Sequence, residues 1–252
     1  MGETETHGVC GASGFSRPAL TPGMDDTTAV VTGASRGLGA AVARLFAAEG
    51  AHVVGCARDA DALEATADDI REDGGSMTTM RADVRDEFDV ERLMETAARE
   101  GSGIDLVVAN AGVYHGDPGE TPLPTESYAA FDDHLRTNGR GVFSAIVEAL
   151  PHLAEEGRIL VPSGAVARQS MGGYGSYAVS KATAEAIARG FAADLDQVVA
   201  VLDPGQVATD LTSGAGRDPD DVAAMFEWAA TAPADEVDGE IVDTETWKQA
   251  TR

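Results

Sequence analysis

The chain has 252 residues, with 43 acidic against 18 basic side chains, a formal charge of −25 and 43 % hydrophobic residues. That length suits one α/β domain with a substantial core, and no apolar run approaches the length of a membrane span. So negative a surface repels nucleic acid and anionic membrane, which argues against both as partners.

Residues 1–24 are rich in Gly and Ser and lack the basic start and apolar core of a secretory signal. They are expected to be a disordered extension or an artefact, with Met24 as a candidate functional start. Residues 25–252 are expected to form one domain, and the expected compartment is the cytoplasm. From residue 29 the chain alternates short apolar runs with amphipathic stretches. Strands are predicted at 29–32, 51–57, 76–82, 104–109, 158–162, 198–202 and near 239–243. Helical periodicity covers 37–49, 59–73, 87–99, 127–154 and 177–195, with a short acidic helix over about 219–231. This alternation predicts an α/β fold: a doubly wound parallel sheet flanked by helices on both faces. The strands are continuous Val, Leu and Ile runs, as expected when both faces are covered.

The acids are scattered in pairs such as Asp25-Asp26, Asp68-Asp69 and Asp220-Asp221, which reads as an acidic coat rather than a tail. Lysine occurs only at Lys181 and Lys248, against 16 arginines. Scarce lysine and dense paired acids together point to a salt-rich cytoplasm, where the Debye length falls to about 3 Å at 1 M and self-repulsion is screened. The competing reading is an acidic protein of an ordinary cell with biased codon use. Cys10 and Cys56 follow no disulfide or metal spacing, and the five histidines are dispersed, so no metal site is expected.

Three stretches carry chemistry. "TGASRGLG", residues 32–39, follows the first strand and opens the first helix. Gly33, Gly37 and Gly39 allow a sharp turn and close approach of a pyrophosphate to the helix N-terminus, with Ser35, Arg36 and Leu38 in the same turn. "YAVSK", residues 177–181, puts Tyr177 and Lys181 on one helix face. A nearby ammonium favours phenolate, so Tyr177 is expected to have a lowered pKa and to act as general acid or base. Ser163 ends the strand "RILVPS", where its hydroxyl would emerge at the carboxyl edge of the sheet. Ser176 reads as a helix cap and Asp59 as another. At the end of the second strand Ala57 stands where an NAD-preferring site carries an acid, and Arg58 follows. Two cations, Arg36 and Arg58, suit a 2′-phosphate; NADP(H) is therefore the expected cofactor, with NAD(H) possible.

With "NAG" at 110–112 and "PG" at 204–205, the ordered set resembles the single-domain branch of the short-chain dehydrogenase/reductase family over residues 27 to 245. The resemblance implies a Rossmann-type fold, a nicotinamide cofactor and carbonyl–alcohol interconversion. It also implies that Ser163 orients the substrate oxygen for Tyr177. Asn138 would hold a water in a proton relay reaching Lys181, which also binds the nicotinamide ribose. Asp83 and Val84 would contact adenine, and Asn110, Ala111 and Gly112 would line the cofactor. Pro204, Gly205, Val207 and Thr209 would position the nicotinamide. The family's usual first asparagine is replaced by Ala109. The implied partners are a small-molecule carbonyl or alcohol substrate and further copies of the chain, as a homodimer or homotetramer packed through 127–154 and 177–195. Substrate choice should lie in 113–126, 164–174 and 206–225, where Arg168 is a lone candidate for an anionic group. The alternative is a catalytically silent NADP(H)-binding sensor or scaffold.

Overall fold

The computed structural model describes residues 23–252. The expected extension lies outside the described residues apart from Gly23 and Met24, and Met24 is buried in the core.

The elements alternate from the start: β1 (Thr28–Thr32), α1 (Gly37–Ala48), β2 (His52–Ala57), α2 (Ala60–Glu72), β3 (Ser76–Arg81), α3 (Glu87–Glu100) and β4 (Ile104–Val108). The second half holds α4 (Tyr128–His134), α5 (Gly141–Ala149), β5 (Leu153–Pro162), α6 (Gly175–Asp194), β6 (Val198–Asp203), α7 (Pro219–Thr231), α8 (Ala234–Val237), β7 (Ile241–Asp243) and α9 (Thr244–Ala250). Among the described residues the seven strands are all parallel, in the order β3-β2-β1-β4-β5-β6-β7. The doubly wound sheet predicted from the alternation is therefore present. Because side chains alternate across a strand, β1 sends Ala29 and Val31 to one face and Val30 to the other. The first face packs on α1 and α7 through Phe46, Met225 and Phe226. The second packs on α3, α5 and α6 through Leu93, Met94, Ile146 and Ala184. Strand order reverses between β1 and β4, which opens a crevice at their carboxyl ends.

Two boundaries differ from expectation. The helix predicted over 127–154 is broken by a π turn at Leu135–Arg140 and ends in a 3-10 turn at Leu150–His152. Pro151 has no N–H to continue the helix and its ring crowds the preceding turn. β5 then begins at Leu153 rather than 158. α9 was not anticipated; it starts where Asp243 accepts the N–H groups of Glu245 and Thr246 at 3.0 and 2.8 Å. Among the described residues no helix is long and apolar enough to cross a membrane. Cys56 is buried, which pushes its thiol up to about 12 and leaves it unreactive.

Candidate active site

A cavity of about 980 Å³ runs along the carboxyl ends of the strands, from the glycine turn to Tyr177 and Lys181. Of the predicted site residues, all but Asn138 and Arg168 line it.

The glycine turn is shaped for close approach. Gly33 has φ +70° and Gly37 φ +55°, conformations that favour glycine. A Cβ on Gly33 would come 2.9 Å from the Ala111 backbone, and one on Gly39 would come 2.2 Å from the Gly33 carbonyl oxygen. Thr209 sits against the same turn, its Cγ2 2.9 Å from where a Gly37 side chain would begin. Asn110 ties β4 to β1 by donating to the Thr32 carbonyl at 2.9 Å, and the Ala111 N–H donates to the Thr32 hydroxyl at 3.0 Å. Asp59 caps α2 as expected, accepting from the Ala62 N–H at 3.1 Å.

At the Asp83 end of the cavity, the Arg85 guanidinium holds the Asp83 carboxyl below the usual range, and exposed Arg58 adds to the effect. The Arg85 guanidinium pairs with Asp83 at 2.7 Å and Asp133 at 2.6 Å, which leaves Arg58 as a cation facing the cavity. Arg36 pairs with Asp210 at 3.2 Å, with both side chains about three-quarters in solvent. Such an exposed pair is weak and yields readily to a phosphate. The hydroxyl of Thr137, a residue that lines the cavity, is buried and has no hydrogen-bond partner among the described residues. The glycine cradle, the two arginines and this orphaned hydroxyl fit a dinucleotide.

At the other end, Gly205 turns at φ +73°, its N–H held by Asp203 Oδ1 at 3.0 Å, and places Pro204 and Val207 along the wall. Lys181 Nζ donates to the Pro162 carbonyl at 3.0 Å and lies 5.9 Å from the Tyr177 ring centroid. Tyr177 packs 4.7 Å from the Tyr114 ring, and among the described residues its hydroxyl has no hydrogen-bond partner.

Four expectations read differently in the structure. The first concerns Tyr177: burial, reinforced by the neighbouring Tyr114 and Tyr174 phenols, pushes its phenol up to about 12, not down. Burial also pushes Lys181 down to about 8, with Glu185 acting the other way. In the protein alone, desolvation outweighs the ammonium's influence, so at neutral pH Tyr177 holds its proton and can only donate it.

Ser163 is the second. Its hydroxyl donates to Glu185 Oε1 at 2.7 Å, so as placed it has only acceptor capacity left for a ligand. Glu185 is buried and also binds Arg168, whose other arm binds Asp203. Arg168 is thus neutralised and does not line the cavity, which removes it as an anion receptor. The next position, Gly164, lines the cavity with extended backbone, φ −165° and ψ 163°.

Asn138 is the third. Its amide donates to the Val113 carbonyl and the Ser180 hydroxyl, both at 2.9 Å, and its oxygen accepts the Val113 N–H at 2.8 Å. Ser180 in turn donates to the Tyr177 carbonyl at 2.8 Å. Asn138 therefore steadies the backbone around Tyr177 and makes no direct hydrogen bond to Lys181, while its expected relay through a water is a proposal.

The fourth is Ser176, which lies inside α6 and is no cap. Its N–H and hydroxyl both donate to the Glu126 carboxylate, the hydroxyl at 2.6 Å. Glu126 thus caps the helix from a distant loop. Buried His134 lies 2.6 Å from the same hydroxyl and accepts the His115 N–H through Nε2.

Sequence reasoning also missed Glu185. It follows Lys181 by four residues, as Lys181 follows Tyr177, and that repeated spacing on one helix face was the available signal.

The short chain dehydrogenase family profile matches residues 27–220. The chain is 34 % identical over 200 residues to versicolorin reductase of Emericella nidulans, covering 77 % of this chain and 74 % of that protein. It is 33 % identical over 232 residues to glycine betaine reductase of the same fungus, covering 83 % of this chain but only 18 % of that much longer protein. A short chain dehydrogenase from Burkholderia cenocepacia, solved in complex with NADP, superimposes with a TM-score of 0.78 at 28 % identity, covering 87 % of this chain and 96 % of that one. The chain belongs to the short-chain dehydrogenase family, and its fold and family make it an oxidoreductase.

Proposed function

We propose that this protein is a cytoplasmic NADP(H)-dependent carbonyl reductase, with Tyr177 as the proton donor. The observation that carries the reading is the free, protonated Tyr177 hydroxyl in the cavity, at the far end from a glycine cradle flanked by Arg36 and Arg58. NADP(H), when bound, supplies or receives the hydride. Gly33, Ser35, Gly37, Leu38 and Gly39 would hold the pyrophosphate, Arg36 and Arg58 the 2′-phosphate, and Asp83, Val84 and Asn110 to Gly112 the adenosine side. Pro204, Gly205, Val207 and Thr209 would set the nicotinamide, and Lys181 its ribose. Tyr177 donates its proton to the carbonyl oxygen, and Lys181 keeps a positive charge beside it as phenolate character develops.

A screen of NADPH and NADH oxidation over a carbonyl panel, in low and in molar KCl, tests this. NADPH turnover that grows with salt is expected, because the acidic coat supports adaptation to salt. Absence of turnover throughout counts against the reading. Arg58→Ala is expected to lower kcat/KM for NADPH by about 10- to 100-fold, the worth of a charge-assisted hydrogen bond, and to change that for NADH little. An equal loss with both cofactors would remove Arg58 from phosphate recognition.

One observation favours a second reading, a cofactor-binding protein without turnover: the Ser163 proton is committed to Glu185. Exposed Phe143 on α5 and Val179 on α6 support the homodimer or homotetramer.

A further inference from the structure

We infer that the substrate half of the cavity takes an uncharged ketone carried on an aromatic ring system, a refinement that rests on the carbonyl-reductase reading. The first reason is charge. Among the described residues 113–177 the cavity wall presents no carboxylate and no cation, the 206–225 stretch adds only carboxylates (Asp210, Asp218 and Asp220), which repel an anion, and Lys181 is held on the Pro162 carbonyl at 3.0 Å. The one arginine of the β5–α6 loop is clamped between Glu185 and Asp203 outside the cavity. A substrate carboxylate or phosphate would lose its water and find no partner.

The second reason is the aromatic wall. The Tyr114 and Tyr174 rings lie nearly parallel, 16° apart with centroids 6.3 Å apart, and Tyr114 continues into Tyr177 at 4.7 Å. The Tyr114 hydroxyl is tied to Thr121 Oγ1 at 2.7 Å and donates to the Gly173 carbonyl at 3.2 Å. Its ring is therefore fixed, with the polar tip turned into protein, so a ligand meets a ring rather than a hydroxyl.

Space is the third reason. Any residue can adopt the extended backbone at Gly164, so conformation does not demand glycine there. A Cβ would meet only Val166 Cγ1, at 4.0 Å, so the missing side chain leaves the cavity open at the end of β5. Met171, 41 % exposed on the cavity wall, adds a polarizable flank that suits a ring.

The test compares three ketones of similar size: 1-tetralone, saturated 1-decalone and a carboxylated 1-tetralone. Turnover is followed with NADPH, and binding to the NADP⁺-loaded protein by calorimetry. 1-Tetralone should lead 1-decalone by about 10-fold in affinity and in kcat/KM. It should lead the carboxylated ketone by on the order of 100-fold. In Tyr174→Leu the lead over 1-decalone should shrink to about 3-fold or less. Equal or better binding of 1-decalone or the carboxylated ketone overturns the ligand class, as does binding of none. Preferred binding of 1-tetralone without any turnover keeps the ligand class and refutes the reductase reading. Preferred turnover of the other two does the reverse.

Discussion

Tyr177→Phe should lower kcat for carbonyl reduction by about 10³-fold, equivalent to ~4 kcal/mol of transition-state stabilisation, with cofactor affinity unchanged within about 3-fold. The substitution removes one oxygen that has no protein partner among the described residues, and it keeps the ring packed 4.7 Å from Tyr114. Fold and melting temperature should therefore be preserved, and a loss of rate can be assigned to chemistry. The elevated phenol also fixes the direction in which the site works unaided. Below about 12 the protein alone holds a proton donor, which suits reduction. Oxidation requires the phenol to lose its proton first, so it should rise with pH. A Tyr177→Phe variant retaining a tenth or more of the rate would take the tyrosine out of the reaction and leave the turnover to other groups.

The largest effect on stability should come from Arg168→Met, which keeps most of the side chain's length and removes its charge. Glu185 and Asp203, at 2 % and 8 % side-chain exposure, then share a buried region without their cation. Breaking a buried pair from one side costs several kcal/mol; with Arg168 one-third exposed, about 3 kcal/mol is expected, or roughly 10 °C in melting temperature. Thermal melts at fixed KCl and pH 7 measure it, and a melting temperature within 2 °C of the parent would show that the triad contributes little. Ser163 and the Gly205 turn hang on the same carboxylates, so catalytic rate should fall as well.

What the sequence carries best is whatever depends on neighbours along the chain. The continuous apolar runs placed six strands within a few residues, and the glycine spacing located the turn in which Gly33 and Gly37 take positive φ. Tyr177 and Lys181 on one helix face followed from the four-residue interval alone. What escaped depends on partners distant in sequence. The π turn sits where Asn138 reaches Val113, 25 residues away, and Ser180, 42 residues away. Ser163 and Arg168 meet Glu185 across the β5–α6 loop, and Ser176 owes its role to Glu126, 50 residues earlier. The Tyr177 pKa failed for a related reason. The interval shows that an ammonium is near, but not how thoroughly the folded protein strips water from both groups.

The central claim is that this chain moves hydride and proton to a carbonyl at Tyr177. The most direct measurement supplies NADPH deuterated at the transferable C4 position with 1-tetralone in molar KCl and examines the product by mass spectrometry. An alcohol carrying one deuterium on its carbinol carbon, formed by the parent protein and about 10³-fold more slowly by Tyr177→Phe, is the predicted result. A protein that binds NADPH but delivers no deuterium to this ketone or to any other carbonyl would contradict it.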